Sequence, residues 1–358
     1  MKTKRLNYLD MAKGIGIILV VIGHSTFVAA PILTWISSFH MPLFMIISGM
    51  LLWHTKEESR AMSDTIRRKA KVILIPYVSF SIIYMIFDLI EYWLDPITHS
   101  LVTIKDSLIA TLTLYGISVL WFLPALFIGE ISFLFIRKHT NHIVTIGIAL
   151  AMLLLVSIVR PLSEGSFLIV LFRGAMAYIF LTIGYYCKQY LQEKSSVQGK
   201  ELLVAIGLLL LNVAVSIQNG RVDLNMLVLK QPILYFVGAV SGSLALILLC
   251  KNLQFAKMHK VCHSLQYLGI NSLTIMVTHL DCRVMIASIT IAYWLNQYIT
   301  RAKSYIFYLC IMLFVTLFEL LIIYVVNHYM PFIMGKKPYK GRGKLHIYTK
   351  TDKTAKNN

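Results

Sequence analysis

Three residues near the N-terminus have side chains suited to acid–base chemistry, and they share one helical stripe. The stretch Asp10–Ser25 (DMAKGIGIILVVIGHS) is apolar enough to enter a bilayer, yet it carries a carboxylate, an ammonium and an imidazole. A helix turns about 100° per residue, so Lys13 and His24, eleven residues apart, return to nearly the same azimuth, roughly 16 Å apart along the axis. Asp10 lies three residues before Lys13, a spacing at which an acid and a base meet on one face. Histidine has the side-chain pKa nearest neutrality, which suits His24 to take a proton from a hydroxyl. Polar groups at membrane depth are costly and by default mark function. Taken singly, each has a plainer reading. Asp10 and Lys13 can be interfacial residues, with Lys13 reaching to headgroups, and His24 can be an inter-helix hydrogen bonder.

Other polar residues are placed to join them. His40 precedes Met41-Pro42; if the first two spans form a hairpin, it falls in the same half of the membrane as His24. His279 lies deep in an apolar segment behind Asn271-Ser272, and Asn271 is suited to bond across helices. Arg67 and Arg68 are the best candidates for holding anionic phosphate at the inner face, although a solvated topogenic cluster is the favoured reading of them. Arg173 and Glu130 are intramembrane charges that need partners, Glu130 reading as structural. Asp88 and Glu91 are placed to face an outer acceptor. Trp121 fits an interfacial aromatic belt. Five scattered cysteines with no CxxC pair suggest neither a zinc site nor a disulfide framework, and no metal is expected. GxSxG, Walker, HExxH and GxGxxG motifs are missing.

The elements that must position these residues are membrane helices. The 358 residues are 58% hydrophobic and 14% charged, with mean hydropathy +0.72, against about 25% charged in soluble domains. Several apolar runs approach or exceed the roughly 18 residues needed to cross hydrocarbon, and none alternates as barrel strands do. The fold class expected is all-α, a polytopic bundle of about ten spans with both termini cytoplasmic. The spans expected are 12–30 (closed by Pro31), 33–53, 72–94, 118–136, 143–160, 167–187, 202–218, 232–250, 264–298 and 305–329, with a short interfacial or re-entrant helix at 104–114. The segment 264–298 reads as one broken span or two short ones, interrupted near His279–Arg283. Counting it as one puts 25 of the 34 Lys and Arg inside and 6 outside, as the positive-inside rule requires. The formal charge of +18 is spread in these short clusters, with no basic face interleaved with aromatics, so no nucleic acid is expected as partner. Residues 1–335 form the membrane domain and 336–358 a basic cytoplasmic tail. The first run has no small-residue cleavage site and reads as a retained helix.

LDMAKGIGIILVVIGHS, FHMPLFMIISGML, RRKAKVILIPY, LWFLPALF and NSLTIMVTHL, in this order along nearly the whole chain, resemble the acyltransferase-3 family of integral membrane acyltransferases. More narrowly, they resemble its branch related to fucose 4-O-acetylase and exopolysaccharide O-acetyltransferases. The family hallmark is a basic residue, ten intervening residues and a histidine in the first helix, here Lys13 and His24; many members carry arginine at the Lys13 position. The resemblance implies a multi-pass enzyme of the plasma or inner membrane. It would move an acyl group, usually acetyl, from cytoplasmic acetyl-CoA or another acyl-CoA to a hydroxyl of an extracytoplasmic glycan or envelope saccharide. It implies that His24 deprotonates the acceptor or carries the acyl group, with Lys13 and Asp10 organising the mouth. Lys13, Arg67 and Arg68 would hold the CoA end, and His40, Trp121 and His279 the acceptor side. The alternative is an exporter or flippase of a polysaccharide or lipid-linked sugar, against which the missing internal repeat counts. A non-catalytic ligand-binding membrane module is a third reading. Oligomeric state is not legible.

Overall fold

Large apolar side chains point outward along whole helices of this chain, the reverse of a water-soluble fold. Ile75, Val78, Ile82, Ile86 and Leu89 make one such exposed stripe, and Leu313, Leu317 and Leu321 another. Such stripes need a hydrocarbon solvent. The computed structural model describes residues 5–25, 28–97, 100–158, 167–191, 199–254, 258–295 and 304–336. Among them the chain is helical, with one isolated antiparallel bridge between Asp223 and Val228.

In chain order the helices are α1 (Asn7–Gly23), α2 (Ala30–Ser37), α3 (His40–His54), α4 (Met62–Leu94) and α5 (Leu101–Leu112). There follow α6 (Phe122–His139), α7 (His142–Ile158), α8 (Phe167–Tyr190), α9 (Gly199–Asn219) and α10 (Pro232–Leu253). Last come α11 (His259–Ile270), α12 (Ser272–Thr278), α13 (Val284–Leu295) and α14 (Ser304–His328). Among the described residues seven stretches are long and apolar enough to cross a membrane: α2–α3 together, α4, α6 with the turn before it, α8, α9, α10 and the 310–328 part of α14. The expected count of ten also took in α1, α7 and 264–298. The first two have 17 residues each, and the third is interrupted at Asn271 and again at 279–283.

Several expected boundaries move, for local reasons. The first helix stops at Gly23 rather than near residue 30, and Pro31 sits in the first turn of α2, where its missing N–H costs no internal bond. The second span is broken at Ser38–Phe39, and Pro42 likewise falls in the first turn of α3. The basic stretch expected as a loop up to Lys71 is helical from Met62 onward, since Arg, Lys and Ala are good helix formers. The predicted 336–358 tail lies outside the described residues, save Lys336.

α8 is the central helix, 72% buried over its most apolar stretch, against 22% for α9 and 28% for α14. It packs against α3 and α6. The α1–α11 crossing is as close as that of α3 and α8, where Gly49 and Gly184 meet backbone in the same way. A Cβ on Gly14 would overlap the Leu265 carbonyl, and one on Gly269 would overlap that of Asp10. Backbone therefore meets backbone, as small residues permit in membranes.

Gly269→Leu should disrupt this crossing at a cost of at least about 1–3 kcal/mol. The thermal midpoint of the purified protein in detergent should fall by several degrees. Gly147→Leu, where a Cβ meets open space, should leave it unchanged.

Candidate active site

The α1–α11 contact places the ends of two broken helices side by side. His24 follows the last residue of α1 and His279 the last residue of α12. Their ring centroids are 5.0 Å apart, and Nδ1 of His24 is 3.3 Å from Nε2 of His279. Each ring also reaches back one turn: Nδ1 of His24 is 2.9 Å from the Val20 carbonyl, and Nδ1 of His279 is 2.9 Å from that of Ile275. A carbonyl only accepts, so both Nδ1 atoms carry the proton, an assignment made from partners. Nε2 of His279 then accepts from the shared Nδ1–H of His24. The Nε2 lone pair of His24 is left for other work.

That ring is exposed to a cavity of about 650 Å³. His40 and Trp121 line the same cavity, with Gly23, Ser37, Ser118 and the segment 221–230. Nδ1 of His40 is 2.8 Å from the Ile36 carbonyl, which fixes the same tautomer and leaves a second imidazole lone pair. His279 is fully buried, so it reaches the cavity through His24 rather than lining it as expected.

The walls are pinned by buried polar contacts. The Tyr84 hydroxyl on α4 donates to the Val277 carbonyl at 2.6 Å. Thr278, next to His279, meets both carboxyl oxygens of Glu319 on α14, at 2.8 and 3.0 Å, as well as the Thr274 carbonyl. Arg283, at the break, pairs with Glu91 at 2.6 Å and Asp88 at 3.5 Å. Those two acids, expected to face an acceptor, instead tie α4 to this break. Asn271 bonds across helices to Asn327 at 2.9 Å. Arg173, fully buried, donates at 2.7 Å to the carbonyls of Tyr115 and Asn225, and its guanidinium lies over the rings of Tyr115 and Trp121. Ser118 and Lys230 line the cavity with φ of 45° and 62°. A non-glycine residue held there costs about 1–3 kcal/mol, and such strain gathers at working sites.

The candidates expected at the inner face form a separate group. Lys13 pairs with Asp10 at 2.8 Å, and Asp10, buried in the first turn of α1, also holds Arg5. Between Lys13 and His24 the stripe is filled by Ile17 and Val20, both buried. Arg68 pairs with Glu57, and Arg67 is exposed. Neither is hydrogen-bonded or paired to Lys13 or Asp10 among the described residues. Glu130 is buried, accepts from Ser48 at 2.6 Å and pairs with Lys69 at 2.8 Å. This is the structural role read for it.

The sequence reading passed over Glu319 and the charged loop Arg221–Lys230. Glu319 had a usable signal, a lone carboxylate inside the apolar run of α14. The loop had none, because only the fold brings it over His24.

A family profile described as an acyltransferase domain, acyltransferase-3, matches residues 6–325. No curated protein and no solved structure matches the chain.

Lys69→Met should leave Glu130 buried without its counter-charge and lower stability by up to about 3 kcal/mol. Adding Glu130→Gln should recover most of the lost thermal midpoint, because the uncompensated charge is then gone.

Proposed function

The chain belongs to the acyltransferase-3 family of membrane acyltransferases, and from that premise we propose what it transfers, from where and with which residues. The donor is cytoplasmic acyl-CoA, acetyl-CoA in the first instance. The acceptor is a hydroxyl of an extracytoplasmic glycan or other envelope saccharide, and the membrane is the plasma or inner membrane.

The observation that carries this reading is the His24–His279 pair at the cavity. Nε2 of His24 takes the proton of the acceptor hydroxyl as its oxygen attacks the thioester carbonyl. The C–S bond breaks, and the departing thiolate receives that proton from Nε2, so an ester and free CoA leave. While His24 is an imidazolium, its Nδ1–H is held by the Val20 carbonyl and by Nε2 of His279. His279 is thus a positioning residue, keeping the tautomer and ring plane that aim Nε2 at the cavity, as the third member of a hydrolase triad does. His40, with its own Nε2 lone pair, and Trp121 form the acceptor wall.

Lys13, held by Asp10, sits about 16 Å from His24 along α1. It marks the inner entrance for the CoA end, with Arg67 and Arg68 as further phosphate ligands. Ile17 and Val20 pack between the two ends and must part to admit the pantetheine arm.

In membranes supplied with radiolabelled acetyl-CoA, the wild type should label an envelope saccharide. His24→Ala, at equal protein level, should lose about a thousandfold, the scale of general-base catalysis. Saccharide export that needs no acetyl-CoA, with no label transferred, would establish the exporter reading instead. His279→Ala should lower kcat about ten- to a hundredfold with KM for the donor unchanged, and His279→Gln should restore part of it. A change confined to KM would remove the positioning role.

A further inference from the structure

The loop between α9 and α10 covers the cavity with charges that folding does not use. Asn219 closes it, its side chain bonding the Leu229 carbonyl at 3.1 Å and the Gln231 N–H at 2.9 Å. Val222, Leu224 and Leu229 are its buried apolar anchors. The Ser37 hydroxyl accepts from the Val222 N–H at 3.3 Å, tying the loop to α2. These contacts hold the loop without help from Arg221 or Lys230. Both cations are exposed, both line the cavity, and neither pairs with a carboxylate among the described residues.

The charge balance of this wall is positive. Asp223 also lines the cavity, but its carboxylate accepts from the Met226 N–H inside the loop. Behind it lies buried Arg173, whose Nη2 has no partner. Among the described residues that line the cavity, two cations (Arg221, Lys230) thus face one carboxylate (Asp223). Asn225 lines the cavity as well, with its Oδ1 buried and unpartnered. Positive-inside topology disfavours cations on outer loops, yet two of the six Lys and Arg assigned there stand at this cavity. A low-dielectric cleft lined by one sign of charge concentrates ligands of the other.

We propose that the acceptor is an anionic saccharide, its phosphate or carboxylate held by Arg221 and Lys230 and a neighbouring hydroxyl presented to Nε2 of His24. The second half rests on the acyltransferase reading; the anion site does not.

The test is the thermal midpoint of the purified protein in neutral detergent with millimolar glucose 1-phosphate, glucuronate or glucose, with no acyl donor present. A rise with glucose 1-phosphate assigns the anion as phosphate, and a rise with glucuronate assigns it as carboxylate. Glucose should give none. The rise should vanish in Arg221→Gln/Lys230→Gln, survive in Arg221→Lys/Lys230→Arg and shrink with added salt. Both pairs should keep the unliganded midpoint, since the side chains are exposed. Equal shifts from glucose, no shift from either anion, or a shift that persists in the Gln variant would overturn the proposal. Failure of labelled-acetyl transfer would instead remove the acyltransferase reading and leave this result standing.

Discussion

Backbone contact between α1 and α11 is the constraint on which the site depends. Gly14 and Gly269 let the two helices touch where any larger residue would strike a carbonyl. With that crossing fixed, residues 24 and 279 arrive together at the same level, and one imidazole can orient the other. In lipid no hydrophobic drive separates wrong helix pairings from right ones, so close fit between small residues decides the partner. A site assembled from residues 255 apart in sequence needs such a contact, because nothing local in sequence links them.

Around that crossing, polar groups are matched in a way that leaves reactivity in one place. Arg173 is taken up by carbonyls and rings, Glu130 by Lys69 and Ser48, Glu319 by Thr278, and Arg283 by Asp88 and Glu91. Each would be expensive at membrane depth without its partner. The Nδ1 protons of His24, His40 and His279 go to carbonyls one turn back. What remains on the cavity wall is the Nε2 lone pairs of His24 and His40, the side chains of Arg221 and Lys230, and Asp223. The helix breaks that create this opening, after Gly23 and at 279–283, sit where α4 and α14 can brace the loose ends.

Composition and hydropathy made the membrane helices legible, and the eleven-residue step from Lys13 to His24 singled out an imidazole that the fold sets at a cavity. The interruption near His279–Arg283 was also readable, since an Asp and an Arg cannot continue a lipid-facing helix. Boundaries were less so: Pro31 read as a stop but sits harmlessly in the first turn of α2. Pairings were not readable at all. That Asp88 and Glu91 hold Arg283, or that His279 stands behind His24 and not on the cavity wall, follows from three-dimensional neighbours with no fixed spacing in sequence. Glu319 was visible as an isolated acid, but its link to Thr278 was not.

The central claim is that the Nε2 lone pair of His24 does the chemistry, and it can be read by modifying that atom in the unmutated protein. Diethyl pyrocarbonate carbethoxylates accessible neutral imidazoles, and peptide mass spectrometry can map which of the 11 histidines react. Loss of acetyl transfer should track modification of His24, and hydroxylamine should restore activity as it strips the group. Full transfer by protein in which His24 is completely carbethoxylated would contradict the account.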